Sequence, residues 1–176
     1  MEETRQERPG MPSYSATLLA DYMIAEGNGR LTPLHVIKLV YISHGYTLAI
    51  HKTPLTHDRI EAWRYGPVFP VLYYALKRHG SMPISNLYYC GTRADVNGIR
   101  DRGDFFNDVI KEPARDILDR VLHVYGGLTG NQLSALTHKK DTPWKRYYKE
   151  GQMNIVIPDE AIQSHYEKLI KNDKRI

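Results

Sequence analysis

The chain has 176 residues and a mass of 20.3 kDa, the length of one domain, with 41% hydrophobic and 25% charged residues, a balance that excludes wholesale disorder. A single cysteine, Cys90, excludes an intrachain disulfide and a cysteine-built zinc cage, and no run approaches the ~20 apolar residues of a membrane span. The net charge of +4 is spread over small groups, Lys139-Lys140, Lys145-Arg146 and the tail from Lys171 to Arg175, rather than gathered on the single basic face of a typical nucleic-acid binder.

Residues 1–12 read as a flexible tail. Charges of both signs and the breakers Pro9-Gly10 and Pro12 leave no periodicity, and the absence of an apolar core excludes a secretory signal. A cytoplasmic protein is therefore expected. A first helix starts after Ser13 or Ser15, carries Leu18, Leu19, Tyr22 and Met23 inward, and stops at Gly27-Asn28-Gly29. A second starts with Thr32 as cap and Pro33 at the first helical position, where its missing N–H costs nothing. Its stripe is Leu34, Ile37, Val40, Tyr41, His44 and Leu48. His44, on that stripe, reads as a satisfied buried histidine. Pro54 closes the element.

Residues 55–66 read as extended, and Gly66-Pro67 as the start of a helix through Val68, Val71, Leu72, Ala75 and Leu76. Residues 81–106 carry the fewest helical signals, with a two-residue hairpin turn at Asn97-Gly98 or a mobile insertion as the two readings. One helix is expected over 107–125, on Ile110, Ala114, Ile117, Leu118, Val121 and Leu122, ended by Gly126-Gly127. Thr129 and Gln132 form a capping box for a short helix through Leu133 and Leu136. Asp141-Thr142-Pro143 repeats the cap-plus-proline start beneath Trp144, Tyr147 and Tyr148. Ile155 to Ile157 reads as a short strand, and Pro158 starts a last helix with Ile162 and Tyr166 inward. The expectation is a mainly α, single compact helical domain of about six or seven helices with a small β-hairpin or extended element. It occupies residues 13–171, with 172–176 frayed.

Chemical motifs are scarce. There is no phosphate-binding glycine loop, no H-E-x-x-H and no G-x-S-x-G nucleophile turn. His57-Asp58, and His138 with Asp141, place a base near an acid, but catalysis needs a further group in the same pocket. Cys90 reads as an inert thiol. No catalytic residue, metal ligand or cofactor is assigned. The skew to 13 Tyr against 3 Phe instead favours surfaces that are wet in one state and buried in another.

Two segments carry more information: Glu61-Ala62-Trp63-Arg64-Tyr65-Gly66-Pro67-Val68, and Leu136-Thr137-His138 followed by Pro143-Trp144. Together with the helix Lys38-Leu39-Val40-Tyr41 and Gly45-Tyr46, they resemble the Panacea domain, the SocA-like antitoxin family, over roughly residues 14–150. The resemblance implies a phage- or mobile-element-associated antitoxin that neutralises a cognate protein toxin by direct contact, in one variation as an adaptor to a protease. It implies no catalysis and no cofactor. Its motif positions fall on Lys38, Tyr41, Trp63, Tyr65, Gly66, Pro67, Val68, His138, Pro143 and Trp144.

Of these, Trp63, Gly66, Pro67, Val68 and Pro143 are expected to be architectural. Lys38, Tyr41, Arg64, Tyr65, His138, Trp144 and Tyr147 are the candidates for partner contact, with Lys38, Arg64, Tyr65 and His138 lining a polar surface groove. Variable ground at Tyr88 to Phe106 or at Tyr147-Tyr148 is a further contact candidate. A nucleic-acid-binding transcriptional regulator is the alternative, on the charge and the aromatic-basic stretch from Trp144 to Lys149. A hydrolase or transferase built on His138 and Asp141 is the third reading.

Overall fold

The computed structural model describes residues 11–85 and 102–172, the first three of the second stretch by their backbone alone. Within these residues it is a single helical domain of eight α-helices and one two-stranded sheet. The expectations at Cys90, at Asn97-Gly98 and for residues 1–10 and 173–176 lie outside the described residues.

The domain is built round one helix. α2 (Pro33–His51) is buried on every side from Val36 to Ala49, so the stripe in its sequence is only part of the surface it hides. α1 (Ala16–Glu26), α5 (Ala114–Tyr125), α6 (Gly130–Thr137) and α8 (Asp159–Asn172) pack against it. The starts are those the sequence signals. The Ser15 side chain caps α1, Thr32 and His35 form a capping box with Pro33 at the first position of α2, and Thr129 and Gln132 form the box of α6. α2 ends at Lys52, whose backbone is left-handed at φ 60°, two residues before Pro54. α8 fits closely because Gly45 leaves room: a Cβ there would lie 2.2 Å from the Tyr166 ring.

Three expectations are corrected. Gly66-Pro67 does not open a helix. Glu61–Trp63 (β1) and Gly66–Val68 (β2) pair antiparallel in the register Glu61–Val68, Ala62–Pro67 and Trp63–Gly66, closed by Arg64-Tyr65. Gly66 makes the tight return at φ +107°. Pro67 sits at the non-hydrogen-bonded pair of a two-residue hairpin, where its missing N–H is not needed by the partner strand. The helix, α3 (Pro70–Leu76), starts at Pro70 and runs into a 3-10 turn, Lys77–His79. With that register Leu72 and Leu76 are buried, whereas Val71 faces solvent.

The second correction concerns 107–125. Pro113 cannot continue a helix, and the segment divides into α4 (Arg102–Val109) and α5, joined across a cis Glu112-Pro113 bond. The third is smaller. Residues 155–157 form an isolated bridge rather than a strand, Val156 opposite Glu61, with Ala62 N donating to Ile155 O and Ile157 N to Ile60 O, both at 2.9 Å. α7 (Pro143–Tyr147) starts at Thr142 and Pro143 as its sequence indicates.

Candidate functional site

The hairpin is held by three side chains from three helices, each donating to one of its carbonyls. Lys38 Nζ of α2 donates to Pro67 O at 2.8 Å. Ser134 Oγ of α6 donates to Tyr65 O at 2.8 Å. Trp144 Nε1 of α7 donates to Trp63 O at 2.7 Å. A buried carbonyl without a donor costs about 1–3 kcal/mol, so these bonds fix the height and tilt of the hairpin on the bundle. Gly66 is the contact point: a Cβ on it would lie 2.6 Å from Lys38 Nζ and 2.7 Å from Thr137 Oγ1. Thr137 Oγ1 donates in turn to Ser134 O, and Thr142 Oγ1 to Thr137 O, both at 2.7 Å.

Lys38 is fully buried. Burial pushes its ammonium from the ordinary lysine value down to about 7, because removal from water disfavours the charged form. Beside it, His138 stacks face to face on Trp144 with centroids 3.7 Å apart, and Trp144 stacks on Tyr148 at 4.7 Å. The His138 imidazole is held below its usual range, first by desolvation and then by the Lys38 and Lys145 charges. Its Nε2 is buried without a hydrogen-bond partner. His138 therefore serves as a neutral stacking plate at pH 7, and it makes no pair with Asp141. Asp58, the other acid beside a histidine in sequence, accepts from Ala16 N at 2.6 Å at the start of α1.

The outer face of the hairpin differs. Arg64 and Tyr65 project from its tip, Tyr65 at 65% exposure. Trp63 packs edge-on against Tyr73 (4.8 Å) and Tyr74 (6.5 Å) of α3, and these two rings meet at 5.5 Å. Tyr74 is 60% exposed and Val71 46%. Lys77 Nζ lies 4.9 Å over the Tyr74 ring and the Arg64 guanidinium 5.6 Å over Tyr65. The result is an exposed aromatic face with Lys77 over its Tyr74 ring, and a hairpin tip that carries Arg64 over Tyr65.

The structure thus brings the two sequence segments together but divides the candidates. Arg64 and Tyr65 are exposed, His138 and Tyr147 half-buried. Lys38, Tyr41 and Trp144 are buried, so Lys38 does not line a surface groove: it lies beneath the hairpin, where the groove reading would have needed an open ammonium. Trp63 is half-buried, and Gly66, Pro67, Val68 and Pro143 are buried. His44 is buried with Nε2 at 2.8 Å from Asp159 Oδ1, joining α2 to the start of α8, but its Nδ1 is unpartnered. Tyr73 and Tyr74 were not singled out from the sequence; the run Tyr73-Tyr74 before Lys77-Arg78 would have marked them once the helix is started at Pro70. Among the described residues no cluster of three or more His, Cys, Asp or Glu is placed to hold a metal ion, and no helix is long and apolar enough to cross a membrane.

Comparison with known proteins bears on this site. The chain matches the family described as Antitoxin SocA-like, Panacea domain, over residues 36–145. That span holds α2 from Val36 onward, the hairpin, α3 and all three side chains that grip the hairpin. The chain is 31% identical over 120 residues to Antitoxin SocA of Caulobacter vibrioides (strain NA1000 / CB15N), an alignment covering 65% of this chain and 58% of that protein. It therefore spans less than two thirds of that relative. No solved structure matches.

Proposed function

Since the chain belongs to the SocA-like antitoxin family with a Panacea domain, we propose that it is an antitoxin that neutralises a cognate protein toxin by direct, stoichiometric contact and without catalysis. The observation that carries this reading beyond the family is the exposed aromatic face of the hairpin and α3. Tyr and Trp beside Arg are the residues that dominate protein-binding hot spots. Here three such rings are locked edge to face on a scaffold fixed from below, which lowers the entropy lost on binding. The cations over these rings are Lys77 on Tyr74 and Arg64 on Tyr65, so the complementary toxin surface is apolar and acidic. Occlusion of the toxin and its presentation to a protease both begin with this contact.

The nucleic-acid alternative draws on the same cations over rings. Two features favour protein instead. The rings meet at interplanar angles of 64–76° rather than presenting parallel plates for bases. Trp63 Nε1 also donates to the Glu61 carboxylate at 2.8 Å, itself ion-paired with Arg59, so the polar edge of the indole is already occupied within the fold. The test is co-expression with the product of the neighbouring gene. Growth arrest by that product alone, rescue by this chain and co-elution of the two at high salt are expected. Binding to nucleic acid that leaves with salt, with no rescue, would overturn the reading.

A further inference from the structure

Next to the hairpin grip, with which it shares Thr137 and Thr142, an open cleft of about 380 Å³ lies among α2, α5, α6 and α8, within the ~300–1,000 Å³ range of small-molecule sites. Its floor is a cluster of tyrosines. Tyr46 and Tyr125 share a hydroxyl–hydroxyl hydrogen bond of 2.7 Å, Tyr166 meets Tyr46 at 4.9 Å and Tyr41 at 6.2 Å, and all four rings line the cavity. Gly45 is what admits the Tyr166 ring to this position. Burial raises the phenols of Tyr41 and Tyr166 far above the ordinary tyrosine range, so they stay neutral and act as hydrogen-bond donors or apolar plates.

The rim has one sign of charge. Lys139 and Lys140 line it and are exposed, and among the described lining residues none is acidic. His165, also lining, is held below its usual range by desolvation and by Arg146 and Lys168, so at pH 7 the rim charge comes from the two lysines. Walls that are mostly apolar, with a cationic lip, complement a ligand with an apolar body and an anionic end. The volume suits a compact molecule better than a length of polypeptide.

We propose that this cleft binds a small amphipathic carboxylate, its apolar part against the Tyr46–Tyr125–Tyr166 floor and its carboxylate between Lys139 and Lys140. None of Trp63, Arg64, Tyr65, Tyr73 and Tyr74 lines the cleft, so the proposal does not rest on the toxin-binding reading. The test is calorimetric titration of the full chain with decanoate, with decanol as the uncharged match. Saturable one-to-one binding of decanoate is expected, with decanol at least fivefold weaker. The variant Lys139→Ala/Lys140→Ala removes only exposed side chains and should retain its fold by circular dichroism. It should lose about five- to tenfold in decanoate affinity, the effect of two partly screened charges. A second variant, Leu136→Trp, narrows the cleft and should abolish binding. Three results would overturn the assignment: no saturable binding, equal binding of acid and alcohol, or binding of a Leu-terminated peptide carboxylate without binding of decanoate.

Discussion

Replacing Lys38 by Met removes a titratable amine from the centre of the domain and leaves a side chain of similar length. The unfolded chain titrates this lysine at 10.5 and the folded protein at about 7. Between these values the unfolded state holds more protons, so stability rises with pH, is fullest above the unfolded value and is lost as pH falls toward 7. The resulting penalty on the fold is about 4 kcal/mol near pH 7 and has fallen to about 2 kcal/mol by pH 9. Among the described residues, the shifted histidines and tyrosines act outside this window. The shifted histidines, His35, His79, His138 and His165, act below about pH 6.5, and the raised tyrosines, Tyr22, Tyr41 and Tyr166, act above about pH 10. Urea unfolding at several pH values should show the wild-type protein gaining about 2 kcal/mol from pH 7 to pH 9. Lys38→Met should be flat over the same range, though it forfeits the bond to Pro67 O. Parallel curves for the two proteins would refute the claim that burial beneath the hairpin pushes the Lys38 amine down to about 7.

Other outcomes follow from the same geometry. Trp144→Ala removes a buried ring, its stack with His138 and its bond to Trp63 O; it should cost about 3–5 kcal/mol, read as a fall in thermal midpoint. Gly66→Ala forces an L side chain to φ +107° and a Cβ to within 2.6 Å of Lys38 Nζ, so a loss above about 2 kcal/mol is expected in denaturant titration. The depressed values of His35, His138 and His165 mean that the unfolded chain takes up protons first as pH falls below about 6.5. Stability should decline there, and His138→Phe, which keeps a stacking plate, should reduce the decline.

Much of the fold is legible because its signals are local. The caps at Ser15, Thr32, Thr129 and Thr142 and the prolines at 33 and 143 mark helix starts that the structure keeps. The errors arise where a local signal has two meanings. Gly66-Pro67 suits a helix start and a hairpin return equally, and only the grip of Lys38, Ser134 and Trp144 decides. Pro113 lies inside an apolar period that continues across it, so periodicity alone joins two helices. The motif residues were visible, but their exposure was not. Lys38 reads as a surface cation until α2 is seen to be enclosed on all sides by helices distant in sequence. Tyr73 and Tyr74 acquire meaning only from the position of Trp63, which the hairpin sets.

The most direct measurement of the central claim is toxin capture by the double variant Tyr65→Ala/Tyr74→Ala. Both side chains are largely exposed, so the thermal midpoint should stay within a few degrees of wild type. Loss of co-elution with the neighbouring gene product, together with loss of growth rescue, is the predicted result. A folded double variant that still captures and neutralises the toxin as wild type does would contradict the assignment of the hairpin face as the contact surface.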